Sequence, residues 1–262
     1  MSHVLSSFSV RALGDMILAK AKEVLSTPTT VTTATATATA TTKDRSVQLA
    51  STRYVEVGCG AGAVTFQLCN HFHTVLGFDH NGHLLDTAKS FLAGKAARFS
   101  LRGEGEQHAS YEINSSNIAA MIASKKAHTE EGIVDFRMAD PMCLPAEISG
   151  FDCVFLNDIL DTVSSPNAVL GRMGGVRGLV RKGGLLVLSS SFQWSEHTTP
   201  KSLWIGGTES DAKEHYTSID ALTEKLADDF DLLEVKKVPI LWADSMVDIR
   251  GKIHDVSFWV RK

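Results

Sequence analysis

The sequence lacks the features that would direct it to a membrane, to secretion or to nucleic acid. No apolar run approaches the roughly 20 residues of a transmembrane helix, and the chain does not open with the basic and apolar segments of a secretion signal. Lys and Arg number 26 against 30 Asp and Glu, which gives a net charge of -4, and they form no cluster. Binding of nucleic acid requires concentrated positive charge. We therefore predict a cytoplasmic protein that binds neither membranes nor nucleic acid.

Cysteine and histidine occur in patterns typical of neither disulfides nor metal sites. The four cysteines have no C-x-x-C spacing and lie in or beside apolar segments, which predicts reduced thiols in the core. The ten histidines show no H-x-x-x-H or similar ligand spacing, so we predict no bound metal. The cysteines are Cys59, Cys69, Cys143 and Cys153.

A segment of low complexity separates an N-terminal helix from the rest of the chain. Apolar residues at helical spacing predict the helix within the first 25 residues. Residues 27–42 are mostly alternating threonine and alanine, which bury too little surface to offset the entropy of ordering. We predict a flexible linker there, with a strand as the alternative because threonine favours β structure. The predicted division is residues 1–50, helix and linker, and residues 51–262, one α/β domain.

Strand and helix patterns alternate through the predicted domain. This alternation predicts a Rossmann-like α/β fold with a seven-stranded, mostly parallel sheet and helices on both faces. No convincing helix separates the last two strands, which indicates a C-terminal antiparallel hairpin. Residues 94–115 are polar and rich in glycine and are predicted to be an insertion near the cofactor edge. The predicted strands are 54–57, 74–78, 133–138, 153–157, 185–190, 232–237 and 256–260, and the predicted helices are 63–71, 84–93, 116–127, 167–180 and 219–227.

The most informative segment is the glycine-rich turn after the first predicted strand. The strand runs into Gly58, Gly60 and Gly62, and alternate glycines let the backbone pass close under a ligand. Asp79 ends the next apolar run, about 20 positions later, where an acid can accept both hydroxyls of a ribose. These features predict a cofactor that contains a nucleoside, bound at the carboxyl ends of parallel strands. A glycine turn without a ligand is the alternative.

The spacing of the glycines helps to distinguish between cofactors. A dinucleotide site has G-x-G-x-x-G, whereas this chain has E-x-G-x-G-x-G, beginning at Glu56. That pattern resembles motif I of the Rossmann-like methyltransferases that use S-adenosylmethionine. The resemblance implies S-adenosylmethionine as the cofactor, with Glu56 and the residue after Asp79, His80, among its binding residues. An NAD(P)-dependent oxidoreductase is the alternative that the spacing disfavours.

Polar residues also follow the third and fourth predicted strands of the domain. Asp140 and Pro141 come just after residues 133–138, and in this fold Asp140 is expected to accept a hydrogen bond from the adenine amine; an Asp-Pro turn is the alternative. Asn157 and Asp158 end the fourth strand at the same crevice. We predict Asn157 in the cofactor site and Asp158 towards the substrate. Capping of the next helix by these two side chains is the alternative.

Residues 191–207 form an unusual loop that contains Trp194, Glu196 and Trp204. Aromatic residues on loops beside a cofactor cleft often form the wall of a substrate pocket. The alternative is that the two tryptophans attach a long loop to the protein body. His254 lies just before the last predicted strand, and a lone histidine is usually not catalytic.

These segments together resemble the methyltransferase domain of ovothiol synthase, the 4-mercaptohistidine N1-methyltransferase family. The resemblance rests on the glycine segment, on Arg102-Gly-Glu-Gly-Glu, on Phe151-Asp-Cys-Val with Asp161, and on His254-x-Val-Ser. It rests above all on the loop Trp-x-Glu-x-x-Thr-Pro-x-x-x-Trp-x-Gly-Gly, from residue 194 to residue 207.

The resemblance implies transfer of a methyl group to a ring nitrogen of the small molecule 5-thiohistidine, giving ovothiol A. A nearby group could hold the correct tautomer of the ring or take its proton, and the candidates for this catalytic role are Asp158, Glu196 and His254, which with Trp194 are predicted to bind the substrate. The chain departs from the family at Phe192-Gln193, where the family has Tyr-Thr, and at Asp158, where the family has Asn. It also lacks the iron-dependent sulfoxide synthase part. Methylation of another small molecule and a non-catalytic binding module remain alternatives.

Overall fold

The computed structural model describes residues 2–26, 49, 51–113, 116, 118, 133–208 and 216–262, with side chains from residue 11 onward. The predicted linker, 27–42, and all but two residues of the predicted helix 116–127 lie outside the described residues. The described strands are β1 (Arg53–Val57), β2 (Thr74–Asp79), β3 (Ala97–Arg102), β4 (His108–Ile113), β5 (Ile133–Met138), β6 (Phe151–Asn157), β7 (Val180–Ser190), β8 (Phe230–Ala243) and β9 (Ile249–Arg261). The α-helices are α1 (Ser2–Leu25), α2 (Ala63–Leu68), α3 (Gly82–Leu92), α4 (Pro166–Gly171) and α5 (Ser218–Leu226), and Lys201–Leu203 form a short 3₁₀ helix.

The main sheet has seven strands in the order β5-β2-β1-β6-β7-β9-β8. The first five strands in this order are parallel, and β9 is antiparallel to both β7 and β8. The central strands β1, β6 and β7 are almost continuous runs of buried apolar residues, as expected for parallel strands covered on both faces. The predicted fold class, including the C-terminal antiparallel hairpin, is confirmed.

Two large apolar cores flank the sheet, and a smaller one contains residues of α2, α3 and β5. The first large core contains residues of α4 and α5, and the second contains residues of α1 and α2. Helix α1 buries Leu13, Ile17 and Ala21 in the second core, so it packs onto the sheet rather than standing apart from it. The division of the chain at residue 50 stays a prediction. No helix among the described residues is long and apolar enough to cross a membrane.

Three local predictions differ from the structure. The predicted helix 167–180 ends at Gly171, because the glycines that follow disfavour a helix and an added Cβ at Gly174 or Gly178 would collide with neighbouring atoms. The predicted insertion, 94–115, contains the antiparallel hairpin β3–β4, whose alternating half-buried and exposed residues are typical of a strand pair. Cys143 is exposed and not a core thiol.

The β8–β9 hairpin extends past the end of the sheet. The last pair between β7 and β9 is Ser190 with Asp255, whereas β8 and β9 continue to pair as far as Ala243 and Ile249. We call residues 239–253 the arm. The arm extends beyond the carboxyl end of β7. At its tip the N–H of Met246 donates to the carbonyl oxygen of Arg102 at 2.8 Å. The arm and the β3–β4 hairpin therefore meet, although they start from opposite sides of the sheet.

Candidate functional site

The order of the strands places a crevice at the carboxyl ends of β1 and β6. From β1 the chain proceeds to β2 on one side, whereas β6 is followed by β7 on the other. In open α/β sheets, ligands bind where the strand order reverses in this way. The glycine turn follows β1, and Asn157 and Asp158 are found at the end of β6. The structure therefore brings these sequence-predicted residues to one edge of the sheet.

The three glycines of the turn have different physical roles. All three have positive φ angles, of 87° at Gly58, 53° at Gly60 and 86° at Gly62. A Cβ at Gly58 would lie 2.5 Å from the carbonyl oxygen of Asn157, and one at Gly62 would lie 2.7 Å from the ring of Phe136. A Cβ at Gly60 would meet nothing closer than 3.8 Å. Packing thus requires glycine at two positions, whereas at Gly60 it leaves open space above the backbone, as a ligand would need.

Asp79 ties the glycine turn to the end of β2. Its Oδ2 accepts a hydrogen bond from the Gly60 N–H at 2.8 Å, and its Oδ1 accepts from the Asn81 N–H at 2.8 Å. Each carboxylate oxygen keeps a further acceptor position. The neighbouring His80 is exposed, and its Nδ1 is 3.7 Å from Asp79 Oδ1, beyond hydrogen-bond distance. The carboxylate therefore holds the turn and remains able to accept from hydroxyl groups.

Glu56 is completely buried beneath the crevice. Its Oε2 accepts from the Thr65 hydroxyl at 2.6 Å, and its Oε1 accepts from the Asn157 amide at 3.1 Å. Burial raises the pKa of Glu56 to about 7, although both hydrogen bonds act in the opposite direction. In this structure the carboxylate orients Asn157 and the start of α2, so any effect on a cofactor passes through these neighbours.

Asp140 and Pro141 follow β5 on the same edge of the sheet. Asp140 is exposed, and its Oδ1 accepts from the Met142 N–H at 2.8 Å, so it forms the turn that was the alternative to ligand binding. Its second oxygen has no hydrogen bond among the described residues. Pro141 is buried. Asp140 can therefore form this turn and still contact a ligand through its second oxygen.

Asp158 and His254 lie against each other at the end of β6. Asp158 Oδ1 is 3.7 Å from His254 Nε2, and His254 Nδ1 is 2.9 Å from the Ser189 hydroxyl oxygen. The imidazole is buried, whereas 37% of the Asp158 side chain is exposed. Burial raises the pKa of Asp158 and lowers the pKa of His254, and in each case the charge of the other group partly opposes this effect. Both changes favour the uncharged form of the group concerned.

The loop after β7 is held by hydrogen bonds from its tryptophans. Trp194 Nε1 donates to the Ser218 hydroxyl at 3.0 Å, and Trp204 Nε1 donates to the Thr199 carbonyl at 2.8 Å. The two indoles are stacked with their ring centroids 6.3 Å apart. The bond from Trp194 attaches the loop to the start of α5, as the alternative expects, whereas the bond from Trp204 lies within the loop; the pocket role of the two tryptophans stays a prediction.

A buried acid, Asp161, organises the beginning of this loop. It accepts hydrogen bonds from the Ser190 hydroxyl, the Ser191 hydroxyl and the Gln193 N–H, at 2.9, 3.0 and 2.7 Å. Glu196, by contrast, is exposed, and no described residue forms a hydrogen bond or ion pair with it. The structure therefore joins Asp158 to His254 but does not join Glu196 to either of them.

Sequence reasoning did not assign roles to three residues of the site, Thr65, Asp161 and Ser189. All three are buried. Thr65 binds Glu56, Ser189 binds His254, and Asp161 binds Ser190 at the start of the loop after β7. Ser189 had a usable signal, because it is a polar residue that ends an apolar strand, as Asn157 does. Among the described residues, no group of three or more His, Cys, Asp or Glu side chains is arranged to hold a metal ion.

Comparisons with known proteins match the chain in fold. No protein-family model matches the sequence, and no curated protein does. The solved structure of magnesium protoporphyrin IX methyltransferase from Synechocystis PCC 6803 with bound SAH has 13% identity and a TM-score of 0.51, covering 100% of this chain and 85% of that one. The structure of the same enzyme with bound SAM has 13% identity and a TM-score of 0.50, covering 99% and 81%. This chain therefore has the fold of that methyltransferase.

None of these comparisons supports the narrower resemblance to the 4-mercaptohistidine N1-methyltransferase family. The identities to the solved structures are too low to transfer an acceptor substrate.

Proposed function

We propose that the protein is an S-adenosylmethionine-dependent methyltransferase that acts on a small molecule. The observation on which this proposal depends is the open space above Gly60, beside an Asp79 carboxylate that is fixed by the Gly60 and Asn81 N–H groups. Magnesium protoporphyrin IX methyltransferase, whose fold this chain shares, has been solved with bound SAM and with bound SAH. If the glycine turn served only to let the backbone pack, no open space above Gly60 would be needed.

The residues at the crevice fit such a cofactor. Asp79 would accept from the ribose hydroxyls, and Asp140 would accept from the adenine amine through its second oxygen. The turn Gly58–Gly62 would lie beside the methionyl part, with Glu56 orienting Asn157 below it. His80, which is exposed, and Pro141, which is buried, are also proposed to contact the cofactor. The bound cofactor supplies an electrophilic methyl group on a sulfonium.

We further propose that the methyl acceptor is a ring nitrogen of 5-thiohistidine, which gives ovothiol A. Support comes from the resemblance of the loop from Trp194 to Gly207, together with the polar groups Asp158 and His254 beside the crevice. An amino acid has an ammonium, a carboxylate and here a thiolate, all of which need partners in a partly dry pocket. Glu196 and Trp194 are proposed to contact this substrate from the loop.

Binding of the cofactor is tested first, by calorimetry with S-adenosylhomocysteine and separately with NAD. We expect the wild type to bind S-adenosylhomocysteine and not NAD. Asp79→Asn should weaken that binding by at least tenfold, because one acceptor oxygen is lost. Asp86→Asn is the matched control, since Asp86 is exposed on α3. Tight binding of NAD with none of S-adenosylhomocysteine would rule out the proposal.

The acceptor is tested by turnover. The enzyme is incubated with S-adenosylmethionine and either 5-thiohistidine or histidine, and the product is measured by mass spectrometry. We expect methylation of the thiol compound to be faster. Equal rates would contradict the substrate proposal, and no turnover of either, with cofactor binding intact, would favour another small-molecule acceptor.

A further inference from the structure

The environment of Asp158 singles it out among the polar groups at the crevice. We propose that Asp158 accepts a proton from the methyl acceptor, and that His254 and Ser189 are positioning residues that orient its carboxylate. This inference rests on the proposed methyltransferase function, and it identifies the class of acceptor: a neutral nucleophile that must lose a proton once it has been methylated.

The backbone fixes the direction of Asp158. Its φ is +53°, which is uncommon for a residue other than glycine and better tolerated by Asp and Asn than by most residues. Its N–H donates to the Ser189 carbonyl oxygen at 2.8 Å, which anchors this conformation to the end of β7. The side chain is thereby turned away from the path of a continuing strand. Its placement depends on two neighbouring strands of the sheet and not on a mobile loop.

The two oxygens of Asp158 have different surroundings. Oδ1 is buried and has no hydrogen-bond partner in the part of the chain that the structure describes, although His254 Nε2 is 3.7 Å away. The exposed 37% of the side chain therefore belongs to its other atoms, which include Oδ2. A buried carboxylate oxygen without a partner is costly. An approach of about half an ångström or more would bring this pair within hydrogen-bond distance and leave Oδ2 available to a bound acceptor.

The contact between the Ser189 hydroxyl and His254 Nδ1 is compatible with a proton on Nε2, the nitrogen that faces Asp158. When the Ser189 hydroxyl donates to Nδ1, the neutral imidazole has its proton on Nε2, and that N–H points at Asp158 Oδ1. The neutral imidazole is favoured because His254 is buried. An Nε2–H directed at Oδ1 would stabilise the ionised form of Asp158 and so offset part of the burial that favours the neutral carboxyl.

The proposed step balances. As the lone pair of the acceptor nitrogen forms the new N–C bond, the S–C bond breaks and its electron pair remains on sulfur, which becomes a neutral thioether. The ring gains positive charge and loses it when the N–H proton of its other nitrogen passes to Asp158 Oδ2. The carboxylate becomes a neutral carboxylic acid, and water takes the proton after product release.

Other charges around the pair are consistent with this assignment. The groups that act electrostatically on His254 are Asp158, Asp161, Lys252 and Asp255, and Asp255 is itself paired with Lys237 of β8 at 2.7 Å. Asp161 has its oxygens occupied by hydrogen bonds from the loop. Asp158 is therefore the carboxylate of this group that both contacts His254 and is exposed at the crevice.

The experiment measures kcat, kcat/KM against pH, and the Kd of S-adenosylhomocysteine for three variants and a control. Asp158→Asn keeps the backbone conformation and should lower kcat by at least a hundredfold, with Kd changed less than threefold. His254→Leu removes the N–H that stabilises the carboxylate, so the acid limb of kcat/KM should move to higher pH. Ser189→Ala should move that limb in the same direction by a smaller amount. Ser257→Ala is the control, since it is another buried serine, on β9 beside β7.

The outcomes separate this inference from the proposed function. A purely structural role of His254 and Ser189 would lower kcat/KM equally at every pH, and an unmoved acid limb in both variants would overturn their assignment. Wild-type kcat in Asp158→Asn would overturn the assignment of Asp158. If the wild type neither binds S-adenosylhomocysteine nor methylates any acceptor, the proposed function itself has failed.

Discussion

A single buried acid illustrates how a motif residue can act without touching a ligand. Glu56 belongs to the segment that resembles motif I, yet its carboxylate is completely buried and bound to Thr65 and Asn157. Its pKa of about 7 lies above the ordinary value of 4.5 because burial disfavours the charged form. The folded protein therefore holds this proton more tightly than the unfolded chain does.

This difference predicts the pH dependence of stability. Between pH 4.5 and about pH 7 the folded state binds more protons at Glu56 than the unfolded state, so the free energy of unfolding falls as pH rises. We expect the wild type to lose on the order of 2–3 kcal/mol more than Glu56→Gln between pH 5 and pH 8. Urea unfolding at the two pH values measures this, and equal losses in the two proteins would contradict it.

The glycine turn gives a second prediction at the residue scale. Gly62→Ala forces a Cβ against Phe136 at a positive φ, so we expect a loss of stability of roughly 1–3 kcal/mol. Gly60→Asn places a side chain in open space and tolerates its φ of +53°. That variant should melt near the wild-type temperature and lose at least tenfold in affinity for S-adenosylhomocysteine. Wild-type affinity would mean that the space above Gly60 is not occupied by the cofactor.

At the scale of elements, the sequence predicts what depends on local pattern. The strands of the parallel sheet and the turn after β1 are specified by short apolar runs and glycines, and the structure has them there. The β3–β4 hairpin escaped prediction because its strands are half exposed and lie in a polar stretch. The contact between Asp158 and His254 joins residues 96 positions apart in the chain, so only the folded register between β7 and β9 reveals it.

The arm, residues 239–253, extends beyond the part of the β8–β9 hairpin that lies beside β7. Its tip contacts Arg102, and side chains such as Met246, Val247, Ile249 and Ile253 remain exposed on it. His254 is located at its base, beside Asp158. Together with the β3–β4 hairpin, the arm forms a bridge beyond the carboxyl end of the sheet. Because the arm starts beside His254 and Asp158, we expect the bridge to enclose the acceptor more than the cofactor.

A variant with a shortened arm tests whether the arm helps to enclose the acceptor. Residues 241–251 are replaced by Asn-Gly, which joins Ile240 directly to its partner Lys252 in a two-residue hairpin turn. We expect the KM for the acceptor to rise at least tenfold, with the Kd of S-adenosylhomocysteine changed less than threefold and cooperative melting retained. An unchanged KM would show that the arm does not contribute to the acceptor pocket.

At the scale of the whole molecule, α1 is part of one of the two large cores. Three contacts fix it: Ile17 is buried, the Gln67 amide of α2 donates to Asp15 Oδ1 at 3.1 Å, and Lys20 pairs with Glu234 of β8 at 3.0 Å. The sheet face that α1 covers would otherwise expose apolar residues to water. The 24-residue helix therefore stabilises the domain, whereas the composition of residues 27–42 predicts a linker.

Substitutions in α1 and in the threonine-alanine segment should have different effects on stability and turnover. Ile17→Ala removes buried methyl groups from the core and should lower the free energy of unfolding by roughly 2–4 kcal/mol. Replacement of residues 29–41 by a Gly/Ser segment of the same length should leave both stability and turnover close to wild type, because the connection is kept and no core residue is lost. Thermal melting and a methylation assay are measured on both proteins. A large loss of turnover in the Gly/Ser protein, with its melting temperature unchanged, would instead mean that the threonine-alanine segment orders over the site when substrate binds.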